Sequence, residues 1–273
     1  MGGGVESSAA MPAGILGRIL ERKRAEVAAR RREVPVTDLR ARIGAVGPVR
    51  DFGASLRRKP GEAPRVIAEF KRASPSAGPI RPGADAGIVT ADYAAAGAAA
   101  LSILTDEVDF DGSLADLGAA RARVGLPLLR KDFVVDEYQV VEARAAGADA
   151  VLLIVAALDD GRLRGFHDAA GELGLAALVE VHDAAEAERA VRIGARIIGV
   201  NARNLDTLAI DPTLFGRVAT LLPAGTVTVA ESGLRTPADV RAVAGAGADA
   251  ILVGEALMRE PSPGDALRRL MKP

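Results

Sequence analysis

The chain has no cysteine and only two histidines in 273 residues. Those absences exclude disulfides, thiolate metal sites, a cysteine nucleophile and a histidine-rich metal centre. Aromatic residues are scarce at 3%, so the apolar content rests on Ala, Val, Leu and Ile, a palette suited to helices packed over buried parallel strands. No charge of one sign dominates, the formal net charge being -1. With no overall field to attract nucleic acid or an anionic membrane surface, the expected ligand is a small molecule held by local groups. No apolar run approaches the roughly 18 to 20 residues of a membrane span, and the N-terminus has no apolar signal-peptide core. A cytoplasmic location is therefore expected.

What the chain does contain is ordinary globular material, 49% hydrophobic and 26% charged, enough for one large core. Residues 1–10 are small, polar and Gly-rich, the composition of a disordered tail, with Met11 as an alternative start. Residues 11–63 read as an N-terminal helical extension: an amphipathic helix from about Ile15 to Arg32, a second over Val36–Ile43, and connecting segments from Pro48 to Ala63. Residues 64–273 alternate apolar runs with helical stretches. The runs are Val66–Phe70, Ala100–Thr105, Pro127–Phe133, Ala150–Ala156, Ala176–Val181, Ile197–Asn201, Val227–Ser232 and Ala250–Gly254. Their continuous apolar character marks strands covered on both faces. Eight such units predict an α/β fold, a (β/α)8 TIM barrel that forms one domain with the extension, in preference to an open doubly wound sheet.

A weak repeat supports closure. AGAAALSIL at Ala96, AGADAVLLI at Ala146, IGARIIGV at Ile193 and AGADAILVG at Ala246 set glycines at positions 97, 147, 194 and 247. Each is read as a helix terminator in the left-handed conformation before the next strand, a purely structural role.

In a barrel of this kind the chemistry sits at the C-terminal ends of the strands. On the first strand Glu69 and Lys71, two residues apart, share a face and point into the mouth, either as working groups or as a buried ion pair. Lys131 ends the third strand and Glu180 the fifth, so two lysines and two glutamates converge as an acid/base set. Asn201 at the end of the sixth strand and Arg203 just after it suit a carboxylate or hydroxyl, with a surface ion pair as the alternative for Arg203. Glu231-Ser232-Gly233 after the seventh strand and Gly254-Glu255 after the eighth form either plain glycine turns or a phosphate cradle of backbone N–H groups.

These segments together resemble the indole-3-glycerol phosphate synthase family, from about Ile15 to the end of the chain. The residues that carry the resemblance are Ile67-Ala68-Glu69-Phe70-Lys71-Arg72-Ala73-Ser74-Pro75-Ser76, Leu129-Arg130-Lys131-Asp132-Phe133 with Tyr138-Gln139, Leu178-Val179-Glu180-Val181-His182, Gly199-Val200-Asn201-Ala202-Arg203-Asn204-Leu205, Ala230-Glu231-Ser232-Gly233 and Leu252-Val253-Gly254-Glu255. The resemblance implies conversion of 1-(2-carboxyphenylamino)-1-deoxyribulose 5-phosphate into indole-3-glycerol phosphate with loss of CO2 and water, a step of tryptophan biosynthesis, with no metal and no organic cofactor. It implies Lys131 as the general acid of ring closure and Glu180 as the acid/base group of dehydration. Lys71 neutralises the substrate carboxylate or assists proton transfer, while Glu69, Asn201 and Glu231 orient substrate and lysines. Ser232, Gly233, Gly254 and Glu255 hold the phosphate, Ser74 lies in the loop after the first strand, and the N-terminal helix covers the aromatic end. Phe133 and Phe70 supply an apolar slot for that ring, with burial in the core as the alternative for Phe70. Other enzymes of the same pathway are the protein partners it suggests.

Two positions depart from the pattern. Asp111 stands in the loop after the second strand where a small or aromatic residue is expected, and Glu255 puts a carboxylate beside an anion site, which requires its side chain to turn away. The competing readings are another phosphate-binding barrel such as a phosphoribosyl isomerase, opposed by Glu69 and Lys71, and a catalytically silent barrel scaffold, opposed by the intact charged set.

Overall fold

The computed structural model describes residues 14–59 and 61–272; the tail and alternative start read from residues 1–11 lie outside the described residues. Eight parallel strands close into a barrel: β1 (Arg65–Phe70), β4 (Ala100–Leu104), β5 (Leu128–Lys131), β6 (Ala150–Ile154), β7 (Ala176–Val181), β8 (Ile197–Asn201), β9 (Val227–Glu231) and β10 (Ala250–Val253), with β10 pairing back onto β1. All eight expected runs are strands; β1 starts one residue earlier, β7 and β8 keep the expected bounds, and the other five are one to three residues shorter. A two-stranded hairpin, β2 (Ala73–Ser74) and β3 (Gly78–Pro79), interrupts the loop after β1. It is too short to leave a periodic signal in the sequence.

The helices are α1 (Gly14–Glu33), α2 (Val36–Ile43), α3 (Phe52–Leu56), α4 (Ala86–Ala95), α5 (Glu107–Phe110), α6 (Leu114–Arg123), α7 (Glu137–Ala145), α8 (Asp160–Glu172), α9 (Ala184–Arg192), α10 (Leu214–Ala219), α11 (Pro237–Gly245), α12 (Glu255–Met258) and α13 (Pro263–Leu270). Several start on an acidic or hydroxyl cap: Asp85, Asp106, Ser113, Asp136, Asp159, Asp183, Thr236 and Ser262 each accept a backbone N–H of the first turn, which satisfies donors left free by the helix geometry. Gly97, Gly147, Gly194 and Gly247 follow α4, α7, α9 and α11 with φ of 94°, 95°, 80° and 99°, the left-handed conformation expected of the repeat.

Alternation along the strands sorts the core into two layers. Val66, Phe70, Val179, Val181, Val200 and Ile251 face outward into the shell under the helices. Ile67, Leu129, Leu152, Leu178, Ile197, Val229 and Leu252 fill the barrel interior. The segment assigned only as a connection between Pro48 and Ala63 contributes to this interior. Asp51 caps α3 by accepting the Ala54 N–H at 2.8 Å, and Phe52 and Leu56, one turn apart and fully buried, close the floor beside Val227 and Ala250. Five residues are too few for a helical period to show in sequence.

Helix α1 packs across the other end. Leu16, Leu20 and Val27 are buried against Val135, just before α7, and Tyr138 and Val141 within it. Beneath them Lys23 is fully buried, with its ammonium 2.6 Å from Asp106 and 3.1 Å from Asp132. Asp132 also pairs with the fully buried Arg130 at 3.0 Å, and burial, which alone would raise its carboxyl, is outweighed by Arg130 and Lys23, which hold it down at about 2.

Candidate active site

The same alternation that buries Ile67, Leu129, Leu178 and Val229 carries one residue further in each strand to the barrel mouth. There the inward positions change from aliphatic to charged: Glu69 and then Lys71 after Ile67, Lys131 after Leu129, Glu180 after Leu178, Glu231 after Val229, and Asn201 two residues beyond Gly199. Parallel register sets them level, Asn201 opposite Glu231 on β8 and β9, and Glu69 opposite Ser102 on β1 and β4. All six expected polar groups line one cavity at the C-terminal end of the barrel.

Lys131 is its electrostatic centre. The ammonium lies 3.2 Å from Glu180 and 3.8 Å from Glu231. Burial alone would favour the neutral amine, but Glu180 and then Glu231 more than offset it and raise its proton affinity above the ordinary lysine range. The two carboxylates are driven apart. Burial would raise Glu180, yet Lys131 and His182 outweigh it and the group is held low and ionised. Glu231 is pushed well up, first by burial and then by the neighbouring Glu180 charge, so it holds its proton. Two carboxyl groups with proton affinities so separated are chemically able to serve as one base and one acid. Lys71 and Glu69 form a second ion pair at 2.9 Å.

Two glycines make this packing feasible. Gly199 leaves the space occupied by the Glu231 carboxyl, so a Cβ there would collide with Glu231 Oε1. Gly254, expected only at the phosphate end, has a second reason: a Cβ on it would overlap Glu69, lying 2.9 Å from its Cβ and 3.0 Å from its Cγ.

The wall formed by β8, β9 and β10 carries the remaining expected residues. Ser232 Oγ donates to Asn201 Oδ1 at 2.7 Å. Ser232 and Gly233 take successive left-handed conformations, φ 65° and 77°, unusual for serine and permitted by glycine. They meet Gly254, Glu255 and the guanidinium of Arg203 on this wall, together with Arg235, which the sequence reading did not single out. The Glu255 carboxylate lines the cavity and is paired with Arg259 at 3.1 Å and Arg203 at 3.9 Å, whose charges offset its own.

The opposite wall is apolar. Phe133 lines it as expected, with its ring centroid 6.2 Å from that of Phe110, an aromatic that went unassigned in sequence because it sits in a loop helix without period. Ile15, Leu16 and Ile19 of α1 complete the wall. Phe70, by contrast, is core. It lies between Glu69 and Lys71 in sequence, hence on the outer face, 1% exposed, with Arg72 4.8 Å over its ring. Ser74 lines the cavity from the hairpin. Asp111 is explained by its backbone: it caps α5 at φ 52°, a conformation that Asp tolerates, and its carbonyl accepts from Arg72 at 2.8 Å.

Comparison with known proteins agrees with this geometry. The family model for indole-3-glycerol phosphate synthase matches residues 16–270. The chain is 54% identical to the indole-3-glycerol phosphate synthase of a Nocardioides species over 94% of its length and 97% of the relative's, and 50% identical to that of Saccharopolyspora erythraea over 94% of each. Among solved structures, an N-acetylmannosamine-6-phosphate 2-epimerase from Clostridium perfringens superposes with a TM-score of 0.58 at 14% identity, covering 77% of this chain and 92% of that one, a likeness of fold alone. The match over nearly the whole chain, with the charged mouth assembled on the strands that carry its motifs, makes this protein a member of the indole-3-glycerol phosphate synthase family.

Proposed function

We propose that this barrel is an indole-3-glycerol phosphate synthase, closing the ring of 1-(2-carboxyphenylamino)-1-deoxyribulose 5-phosphate with loss of CO2 and water in the cytoplasm. The observation that carries the reading is the Lys131 ammonium held between Glu180 and Glu231, facing an aromatic wall across one cavity. The aryl ring lies against Phe110 and Phe133 under α1, and the phosphate end lies at Ser232, Gly233 and Gly254 near Arg203 and Arg235. This polarity brings the ribulose carbonyl to Lys131.

As the ring carbon bearing the carboxylate attacks that carbonyl, negative charge develops on oxygen and Lys131 donates its proton there. A fixed cation at that point stabilises the transition state more than the ground state. Lys71 offsets the substrate carboxylate until CO2 leaves and the ring regains its aromaticity. Dehydration then breaks the C–O bond at the former carbonyl carbon and removes a proton from the adjacent methylene. Glu180, ionised at rest, takes that proton, while the Lys71 ammonium gives one to the departing hydroxyl, which leaves as water. Glu69 holds Lys71, while Asn201 and Glu231 orient the hydroxyls and Lys131.

The test is direct. Purified protein mixed with the carboxyphenylamino-deoxyribulose phosphate should develop indole fluorescence, and its absence with folded protein removes the reading.

A further inference from the structure

Glu180 is approached from two sides. On the cavity side stands Lys131. From the other side, outside the residues that line the cavity, comes His182, whose Nε2 lies 3.3 Å from Glu180 Oε1, an ion-pair contact rather than an aligned hydrogen bond. His182 is itself fixed by Glu186 of α9. The Glu186 carboxylate accepts the His182 backbone N–H at 2.7 Å and lies 3.1 Å from Nδ1 of the ring. Glu186 in turn has its own N–H bound by the cap residue Asp183 at 2.8 Å. The first turn of α9 thus fixes both the backbone and the ring of the residue that follows the end of β7.

We propose that His182 is a positioning residue for Glu180: braced by Glu186, it places a cation behind the carboxylate and holds it against Lys131. The inference rests on the catalytic reading of Glu180 given above. The pairing in the mouth supports it. Among the described residues Glu180, the ionised carboxylate, is paired with Lys131 on the cavity side and with His182 on the far side, whereas Glu231, which holds its proton, is paired with Lys131 alone. The Glu180 carboxylate and then Glu186 outweigh the effect of burial and push the His182 imidazole up to about 10. The row Glu186, His182, Glu180, Lys131 therefore alternates in sign from the helix to the cavity. Substitution behind Glu180 leaves the cavity surface intact but frees the carboxylate to move.

With two histidines in the chain, imidazole 15N NMR of the full-length protein, assigned against His167→Asn, reads this contact without turnover. His182 should keep both ring nitrogens protonated at pH 8, and Glu186→Gln should lower its titration midpoint. In steady-state assays His182→Leu should lower kcat by about 10²-fold, the scale of a misplaced catalytic group, with KM changed by less than about threefold. His182→Gln, which retains an N–H donor toward Glu180, should recover part of that loss. A neutral His182 ring at pH 8 overturns the proposal, as does a folded His182→Leu, or His182→Gln if the Leu variant does not fold, with the wild-type kcat and KM. Wild-type protein inert toward the substrate would instead overturn the proposed function, while the NMR titration still decides the contact.

Discussion

Lys131 and Glu180 sit on different strands and act in different steps of the proposed reaction, so their replacement should stall it at different points. Lys131→Ala removes the acid for ring closure and should lower kcat by roughly 10²- to 10⁴-fold with unreacted substrate remaining. Glu180→Gln keeps size and hydrogen bonding but cannot accept the proton, so a closed, decarboxylated but not dehydrated intermediate should accumulate. Rapid-quench analysis of single turnovers separates them, and substrate alone in both variants refutes the division of labour. Glu231 offers a thermodynamic test at the same scale. Burial first, and Glu180 second, raise its carboxyl above the ordinary value of 4.5, so the folded protein keeps a proton that the unfolded chain releases. Its favourable contribution is full below that ordinary value and is lost as pH rises toward the folded value. Glu231→Gln abolishes this titration. The Tm of the variant relative to wild type should therefore climb between pH 4.5 and pH 8, and a flat difference would show that Glu231 is ionised in the fold.

Among the elements, α1 is the one whose sequence alone understates its role. It is read as an amphipathic helix over Ile15–Arg32 and is observed over Gly14–Glu33, yet its decisive residue is a lysine, a charged side chain that stands on the buried stripe with Leu16, Leu20 and Val27. Lys23 is buried because Asp106, after β4, and Asp132, after β5, converge on it. Asp132 directly follows Lys131, so the pin that holds the helix also holds the strand end bearing the proposed acid. Lys23→Met leaves two buried carboxylates short of a counterion and should cost about 3 kcal/mol in urea unfolding, the lower end for breaking a buried pair, since Arg22 and Arg130 still contact them. Because Ile15, Leu16 and Ile19 form the cavity wall, KM should rise as well. A variant as stable as wild type with unchanged KM would show that the pin is dispensable.

At the scale of the whole molecule the two ends of the barrel divide stability from chemistry. The recurring AGAD segments place Asp149 and Asp249 at the start of β6 and β10, at the end remote from the cavity. Asp149 accepts the Leu128 N–H of the preceding strand at 2.8 Å, the Arg50 N–H at 2.8 Å and Arg121 at 2.8 Å, and Asp249 repeats the first of these with the Thr228 N–H at 2.9 Å. Asp149→Ala orphans buried donors and should destabilise by about 2 to 4 kcal/mol while kcat at a temperature where the variant is folded stays unchanged. A fall in kcat without a fall in stability would contradict that separation.

The sequence by itself determined the eight strands, the glycines that end helices between them, and the polar and charged residues at the ends of the first, third, fifth, sixth and seventh barrel strands, because strand period, left-handed glycine and the change from aliphatic to polar or ionic side chains are local properties of the chain. It was enough to bring Glu69, Lys71, Lys131, Glu180, Asn201 and Glu231 to one mouth. What only the tertiary structure decided were relations between distant segments. Phe110 joins Phe133 across a gap of 23 residues, Phe52 and Leu56 seal the floor, Phe70 turns outward to the core, and Gly199 yields its volume to Glu231. The ionisation of the two mouth carboxyls belongs to the same class. Glu180 and Glu231 are chemically equivalent in the sequence, and only their burial and their distances from Lys131 and His182 leave one charged and the other protonated.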